Sequence, residues 1–530
     1  MNSMSGHGAC FLSEFCRLSV IWGLLPSYAD NRQFFNFILK HMIENDKKRA
    51  LHVLEAAHNA WMRLGPVRSR RRRYLRYTYG DQWSDPATGR DGEATTEGEL
   101  ATTGGRRPLT NNLIRRLVKT VVGRYRMNAA GTEAYEVERT GIKDKNAGGN
   151  GWKILNELDE LDARTLEEFL ISGMAVHHLS RERRLKGDGV WVDAVSPDDF
   201  FVNAIRDPRC HDMEMVGRLL DMGIGEIVMR FARGDRGRAM ELRRLYASLQ
   251  GAASVFASDT VGCCAGGGEG SFFHAPAGRC RVVEVWTLEC VERWRCHDPL
   301  AATFRLINNR EREIVEKRNR LRRKKGLPVA ELRWETCTLW RCRMMAPDGT
   351  VLDEYDSPLN GGAPPFAVKF YPLVDGDVHS LVEDVLDQQR YVNILITMMD
   401  RMMETAAKGV LLYPIGCKPD HITWRDIANR WADPGGIVPF KPFMGAEPHQ
   451  VVTPMADIGA RDMLKTQIEL FEDVSGVSGA LMGKAAGAGV GVERYESEVR
   501  NAAVAVLDLL CTFSHFTEMR DNLAACLNAT

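Results

Sequence analysis

The sequence lacks three features that would each point to a familiar class of protein. Its 70 basic residues are balanced by 70 acidic ones, which argues against a protein that coats nucleic acid through overall positive charge. No uninterrupted apolar run reaches the roughly 18 residues that a membrane-spanning helix needs, so we expect no membrane partner. Its 13 cysteines are odd in number and irregularly spaced, which favours a reducing compartment over a disulfide framework.

The length of 530 residues suggests two to four domains, and the apolar pattern predicts a mixed α+β chain that ends in long helices. Helical spacing over 32–64 stops at Gly65-Pro66, and alternation at 282–294 and 332–344 predicts strands. From Asp377 to Lys408 the apolar positions step by three, four or seven without Pro or Gly, which predicts one helix. A helix near 455–474, six glycines within 476–491 and a helix from Glu493 follow.

Between those long helices, residues 409–453 predict a small β-α-β excursion. We expect a strand from Val410, a short helix around Thr423 to Trp431, and a second strand over Ile437–Phe440. Several prolines interrupt the segment, so it cannot build a large core alone. We therefore expect it to need a neighbouring chain.

Two basic stretches stand out against the neutral total. One interleaves arginines with tyrosines between Arg68 and Tyr79; it is typical of a solvated helix face or an intersubunit salt-bridge strip, with phosphate contact as the alternative. The other, residues 305–325, has ten Arg or Lys and three Glu, a net charge of +7. Its pattern favours a solvated helical face over a DNA site.

No motif for catalysis or for a bound cofactor stands out. Around Gly483-Lys484 a phosphate-binding loop would need Gly where Ser478 lies and a magnesium ligand where Ala485 lies. A zinc set could form only if paired strands bring together Cys290, Cys296-His297, Cys337 and Cys342, although their spacing differs from zinc ribbons and half-buried cysteines are the simpler interpretation. We predict no catalytic residue, no metal and no cofactor.

Carboxylate pairs leave one enzymatic alternative open, a metal-dependent nucleic-acid-processing enzyme. The pairs are Asp198-Asp199, Asp207 with Asp212, and Asp384 with Asp387. None lies beside a histidine or a basic residue at a spacing known for nucleases or hydrolases.

The order of the segments resembles the portal, or head-tail connector, proteins of tailed bacteriophages, as a prophage copy. The resemblance covers about 65–523 and rests on Arg70–Trp83, Pro108–Asn112 with the helix after it, VSPDDFFVN, Pro364–Asn393 and Phe471–Leu510. Its most telling pieces are Asp387-Gln388-Gln389-Arg390 with Asn393, and the Gly-rich loop before a long helix.

The resemblance implies an α+β portal-like subunit. It would comprise a mixed wing at 31–376, a first stem helix at 377–408, a clip at 409–453, a second stem helix at 454–474, a tunnel loop at 475–492, and at 493–530 the helix behind that loop with the start of a truncated crown. The crown would be short or missing. Residues 1–30 stay an uncertain N-terminal segment.

The resemblance also implies a structural, non-enzymatic role. Portal proteins form homo-oligomeric rings, usually dodecamers, at one capsid vertex of the virion, after assembly in the host cytoplasm. Expected partners are the large terminase subunit, capsid and scaffold proteins, a head-tail adaptor, and double-stranded DNA that passes without sequence specificity during packaging and ejection. Another virion ring or adaptor protein is the nearer alternative.

Two sets of site residues follow from the resemblance. The candidate lining of the DNA channel is Gly479, Gly483, Lys484, Gly487 and Gly489. The candidate partner-binding residues of the clip are Trp424, Arg425, Arg430 and Trp431. A lining of small residues suits a channel through which any DNA sequence must slide, because a dense basic collar would hold the phosphates.

Overall fold

The computed structural model describes most of the chain. The described residues are 30–89, 92–102, 106–140, 151–185, 187–256, 271–300, 303–359, 362–408, 410–432, 436–451, 459–477 and 492–529. The helices are α1 (Asp30–Arg63), α2 (Gly65–Tyr79), α3 (Glu97–Ala101), α4 (Leu113–Thr140), α5 (Gly151–Leu155), α6 (Leu158–Ser172), α7 (Ile224–Phe231), α8 (Arg236–Phe256), α9 (Asn309–Lys324), α10 (Leu381–Asp384), α11 (Leu386–Lys408), α12 (Trp424–Ala432), α13 (Ala460–Ser475) and α14 (Val492–Ala529). The strands are β1 (Pro86–Thr88), β2 (Ala94–Thr96), β3 (Met174–Arg184), β4 (Gly187–Ala194), β5 (Phe200–Val202), β6 (Met215–Met222), β7 (Cys280–Asp298), β8 (Thr303–Ile307), β9 (Glu331–Met345), β10 (Val351–Asp356), β11 (Phe366–Phe370), β12 (Leu373–Val374), β13 (Asp377–Val378), β14 (Val410–Leu412) and β15 (His449–Val451).

The chain divides into two compact units, and its helices and sheets agree with the predicted mixed α+β class. The first unit contains the described residues up to 62 with 199–202 and 214–357, and the second contains 63–198, 203–213 and 358 onwards. The predicted wing, 31–376, thus draws on both units and stays a prediction.

The first unit is an antiparallel sheet covered by a helix. Its strand order is β10-β9-β7-β6-β5, and β8 pairs with β7. Leu54, Ala57 and Trp61 of α1 pack on this sheet in one core with Val283 and Val285.

Two unusually long strands extend the first unit as a ribbon. β7 has 19 residues and β9 has 15, and they pair in register from Val283 with Met345 to His297 with Glu331. The first seven residues of β7 are buried, but beyond them the burial alternates as in a strand with one solvated face. Helix α9 packs on this outer part through Val315, in a small cluster with Cys296, Ile307 and Ala330.

The second unit is built on the three-stranded sheet β11-β3-β4. Phe513 and Phe516 of α14 are buried in its core together with Leu166 and Phe169 of α6 and Leu117 of α4. This confirms the helix predicted from Glu493, since α14 begins one residue earlier, at Val492.

A buried ion pair and a buried histidine lie at the contact of α14 with that core. Arg520 donates to the carboxylate of Asp162, and both side chains are almost fully buried. Burial raises the pKa of Asp162, and Arg520 acts against that shift. His177 of β3 lies against Phe516, and burial followed by the charge of Arg520 lowers its pKa to about 3.

The single helix predicted from Asp377 to Lys408 was wrong in its first turns. Asp377–Val378 is a strand paired with Leu373–Val374. Helix α10 has only four residues, and the non-helical Val385 separates it from α11. The apolar residues Val382, Val385 and Leu386 are buried in the core of the second unit, so their spacing reflects packing and not one continuous helix. The backbone at His379 can lie against Gly173 because glycine has no side chain. A Cβ at that position would lie 1.8 Å from the carbonyl oxygen of His379.

The second strand predicted in the clip segment was also misplaced. Residues Ile437–Phe440 form no strand, and His449–Val451 pairs with Val410–Leu412 instead. Pro439 has no N–H for a ladder, and its carbonyl accepts a hydrogen bond from the Tyr413 hydroxyl at 2.7 Å. The predicted order of strand, helix and strand is present with this different partner.

Candidate functional site

Helix α11 carries a row of three buried polar residues at a spacing of four. Gln389, Asn393 and Thr397 are all buried, and they project on one face because four residues make about one helical turn. Buried polar groups are costly unless they are hydrogen-bonded, so this row requires partners from elsewhere in the chain.

Gln389 caps the start of α4 from a distance of more than 270 residues. Its Oε1 accepts hydrogen bonds from the backbone N–H of Leu113 at 2.8 Å and of Ile114 at 3.3 Å. The first N–H groups of a helix have no hydrogen-bond acceptor within that helix. Gln389 Oε1 is the acceptor for two of these groups in α4. A third is satisfied locally, since Asn112 Oδ1 accepts from Arg115 N at 2.9 Å.

The other two residues of the row hold the segment that leads into α4. Asn393 Oδ1 accepts from the backbone N–H of Asn111 at 2.9 Å, and Thr397 Oγ1 accepts from that of Leu109 at 3.1 Å. Asn393 also donates to Gln82, which in turn donates to the carbonyl of Tyr77 at 2.7 Å. The row therefore joins α11, residues 109–114 and the end of α2 into one network.

The arginines of α2 form ion pairs within the chain. Arg71 binds Glu168 at 2.6 Å and Asp198 at 2.8 Å, and its side chain is largely buried. Arg73 and Arg76 both bind the buried carboxylate of Asp85, at 2.7 and 3.0 Å. Neither a solvated face nor an intersubunit strip describes these three side chains, because their carboxylate partners belong to the same unit.

Helices α11 and α13 pack side by side and each leaves an apolar stripe uncovered. On α11 the exposed residues Tyr391, Ile394 and Met398 follow one another at intervals of three and four. The α13 stripe consists of the exposed residues Met463, Leu470 and Val474. The apolar spacing that predicted the helix near 455–474 includes Met463, Leu470 and Val474, but it does not show that they stay exposed, and Tyr391, Ile394 and Met398 were not recognised as a stripe.

The clip segment has a small core and an exposed aromatic rim. Cys417 and Ile427 are buried, whereas Trp424 is 47% exposed and stands edge-on to Tyr413 at 5.8 Å. Of the other predicted partner-binding residues, Arg425 and Arg430 are exposed and Trp431 is half-buried.

The sequence matches one family model, that of the phage P22-like portal protein, over residues 173–512, more than half of its 530 residues. The chain belongs to this family. Among curated proteins none matches the sequence. Membership supports a phage portal role and implies an oligomeric ring at a capsid vertex, in a family whose proteins are structural.

Several details of the portal assignment lie beyond what the structure describes. The predicted channel residues Gly479, Gly483, Lys484, Gly487 and Gly489 fall within 478–491, outside the described residues. The predicted second stem helix, 454–474, corresponds to α13, which begins at Ala460. None of the helices in the described ranges combines the length and hydropathy that crossing a bilayer requires.

The strand cysteines of this portal-family chain are kept apart by the register of the ribbon. Cys290 is opposite Thr338, Cys296 is opposite Leu332, and Cys342 is opposite Trp286. At about 3.3 Å per residue, the six residues from Cys290 to Cys296 span roughly 20 Å, too far for ligands of one zinc ion. Burial raises the pKa of Cys342 and of Cys296. The observed strand register therefore does not bring these cysteines together as ligands of one zinc ion.

Three carboxylates of these pairs, Asp198, Asp207 and Asp212, have structural partners. Asp198 binds Arg71. Asp207 accepts hydrogen bonds from the side chain and the backbone of Arg209, and these bonds lower the pKa of Asp207. Asp212 Oδ2 accepts from two backbone N–H groups of the loop before it, at 2.6 and 3.2 Å. These contacts explain Asp198, Asp207 and Asp212 as anchors of loops and of helix α2.

Proposed function

We propose that the protein is the structural portal of a tailed phage or prophage. Its subunits form a closed ring, with twelve copies as the expected number, through which DNA is packaged and later ejected. Terminase docks on the ring first and the tail adaptor later.

The observation that carries this proposal is the pair of uncovered apolar stripes on α11 and α13. Fully burying an aliphatic or Met side chain contributes roughly 1.5–3 kcal/mol, and about half of that remains to be gained where half of the side chain is exposed. Six such residues would contribute on the order of 6 kcal/mol to one subunit contact.

Two different stripes on one chain favour a ring over a two-fold dimer. If the α11 stripe of one subunit packs on the α13 stripe of the next, the contact is heterologous, and such contacts repeat until the ring closes. The α11 row of Gln389, Asn393 and Thr397 supports this arrangement, because it holds the helix firmly to its own subunit while the opposite face stays available.

The clip and the tunnel loop complete the proposal. The exposed Trp424, Arg425 and Arg430 offer an aromatic and basic rim of the kind that binds a partner protein, and Trp431 borders it. Within 475–492 we propose that Gly479, Gly483, Gly487 and Gly489 line the channel and that Lys484 is the side chain that reaches phosphate.

The stripes are tested by placing a carboxylate in each of them. Met398→Glu and Leu470→Glu should each stop assembly, because the contact would bury an unpaired charge at a cost of several kcal/mol. Both side chains are more than 40% exposed in the single chain, so the subunit should still fold. The readouts are native mass spectrometry for assembly and circular dichroism for folding.

The matched control is Lys465→Glu on α13, a side chain that is 76% exposed and lies off the stripe. Lys465→Glu changes the net charge of the subunit by more than either test variant does. Rings of normal mass should nevertheless form, because the side chain lies outside the proposed contact. A wild-type protein that stays monomeric at micromolar concentration, or stripe variants that assemble as well as the control, would contradict the proposal.

A further inference from the structure

Helix α9 is fixed on the ribbon by one face, which leaves the opposite face open. Val315 and Asn319 are its buried residues, and Asn319 exchanges two hydrogen bonds with the backbone of Ala330, at 2.7 and 2.9 Å. Helical geometry places residues 310, 317 and 324 on the side away from this contact. All three are basic and exposed: Arg310, Lys317 and Lys324, here called the α9 stripe.

No ion pair neutralises the α9 stripe within the described part of the chain, although the exposed Glu313 lies on the same face, three residues after Arg310 and four before Lys317. Two other cations of the helix are neutralised, since Arg312 binds Glu316 and Arg322 binds Asp298, each at 2.7 Å. No carboxylate among the described residues forms an ion pair with any member of the stripe. Arg320 and Lys325 lie beside it, are exposed and add to the same charge.

The helix dipole does not account for this arrangement. Cations are stabilised near a helix C-terminus, which suits Lys324, but they are disfavoured in the first turn, where Arg310 lies. Like charges three or four residues apart, such as Lys317, Arg320 and Lys324, repel each other by about 0.2–0.5 kcal/mol per pair. A polyanion bound along the helix would relieve both costs.

We propose that the α9 stripe binds the phosphate backbone of double-stranded DNA without reading its sequence. Its members recur every seven residues, so they lie about 10.5 Å apart along a straight line of about 21 Å. A duplex presents one negative charge per 1.7 Å of its axis, hence about twelve charges over that length. A line of three cations with the single carboxylate Glu313 beside it keeps a net positive charge along its length, which matches a duplex better than a protein surface, where both signs alternate.

This surface belongs to the first unit and uses no residue of the proposed channel, clip or ring contact. It therefore goes beyond the proposed function, and it can fail while that function stands. Exposed Ile314 and Leu321 lie near the stripe and would suit an acidic protein partner instead. The experiment separates these two occupants.

The probe is a covalently closed, relaxed DNA minicircle, because a linear duplex could enter a ring channel and a closed circle cannot thread one. Binding to the full-length protein is measured by mobility shift between 50 and 200 mM salt. We expect a dissociation constant in the micromolar range, and an affinity that falls with a log–log salt slope of about −3 to −4 if three or four phosphates are neutralised.

The test variant is Arg310→Gln/Lys317→Gln/Lys324→Gln, and the matched control is Arg236→Gln/Arg243→Gln/Arg244→Gln on α8. The control removes the same charge from exposed positions of the same unit. Each phosphate contact contributes about eightfold to binding at 0.1 M salt, so the stripe variant, which removes three contacts, should lose about five hundredfold in affinity and the control less than threefold. Native mass spectrometry should show both variants assembling like wild type.

Three results would overturn the proposal. Wild-type protein that does not shift the minicircle at tens of micromolar in 50 mM salt would show that the stripe is only solvated. Equal losses in the stripe variant and the α8 control would show that total charge matters and the stripe does not. A stripe variant that shifts the minicircle like wild type would show that DNA does not bind the stripe, and would leave this face with Ile314 and Leu321 as a surface for an acidic protein partner.

Discussion

Replacing Gln389 by methionine should detach the start of α4 from α11. Methionine has nearly the volume and length of glutamine, so the change removes hydrogen bonds while it keeps the packing. Three backbone groups lose their partner: the N–H of Leu113, the N–H of Ile114 and the carbonyl of Asn111. Asn111 is exposed and its carbonyl can turn to water, whereas the two N–H groups lie at the covered end of a helix.

The expected magnitude follows from those two N–H groups. A buried donor left without a partner costs about 1–3 kcal/mol, so the pair costs about 2–6 kcal/mol. The methionine side chain returns about 1 kcal/mol through apolar burial, which leaves a net loss of about 3 kcal/mol. An opening equilibrium changed by that amount speeds the exchange of the protected amides by about a hundredfold.

Hydrogen exchange read by mass spectrometry on peptides covering 109–120 measures this directly. The matched control is Gln388→Met, the same substitution one residue earlier. The Oε1 of Gln388 is buried and has no hydrogen-bond partner in the described part of the chain. Removing it should leave stability unchanged or raise it by about 1 kcal/mol, because no bond is lost and a desolvated oxygen disappears.

Only Gln389→Met should therefore lose stability. If Gln389→Met and Gln388→Met give the same exchange rates at 109–120, the cap from α11 does not stabilise α4, and the buried row would have to be explained by packing alone.

Two further predictions concern single residues in the two units. Burial and Arg520 lower the pKa of His177 to about 3. Below pH 6.5 the imidazole is therefore protonated in the unfolded chain, while it stays neutral in the folded chain. Stability should thus fall by up to about 1.4 kcal/mol per pH unit between pH 6.5 and 4, and His177→Leu should flatten that slope in urea titrations. In the first unit, Gly217→Ala should lower the free energy of unfolding by about 3 kcal/mol or more, since its Cβ would lie 2.2 Å from a backbone oxygen of β7. The melting temperature should fall accordingly. Gly225→Ala, where no atom lies within 4 Å, should melt like wild type; equal melting of both variants would contradict the reasoning.

Local signals in the sequence predicted the elements that depend on neighbouring residues. Gly65-Pro66 correctly marked the boundary between α1 and α2, and apolar spacing correctly predicted the last long helix. The alternation at 282–294 and 332–344 likewise correctly indicated the long strands β7 and β9. In each case the pattern repeats within a few residues, so it can be read without knowing the fold.

The segment motifs also identified the family, and they did so before their physical role was known. Gln389 and Asn393 belong to the stretch that carried the resemblance, and the structure explains them as partners of residues 109–114. Nothing in the sequence could pair them, because the two segments are more than 270 residues apart.

By itself, then, the sequence determined the class of the fold, the family and the longest helices, since these follow from local periodicity and short motifs. Only the tertiary structure decided where α11 begins, which arginines of α2 are neutralised, and which faces of α9, α11 and α13 remain uncovered. The physical reason is that burial and ion pairing depend on what packs against a side chain. For Arg71 and Gln389 that surrounding surface comes from distant parts of the chain, whereas Met398 stays half exposed.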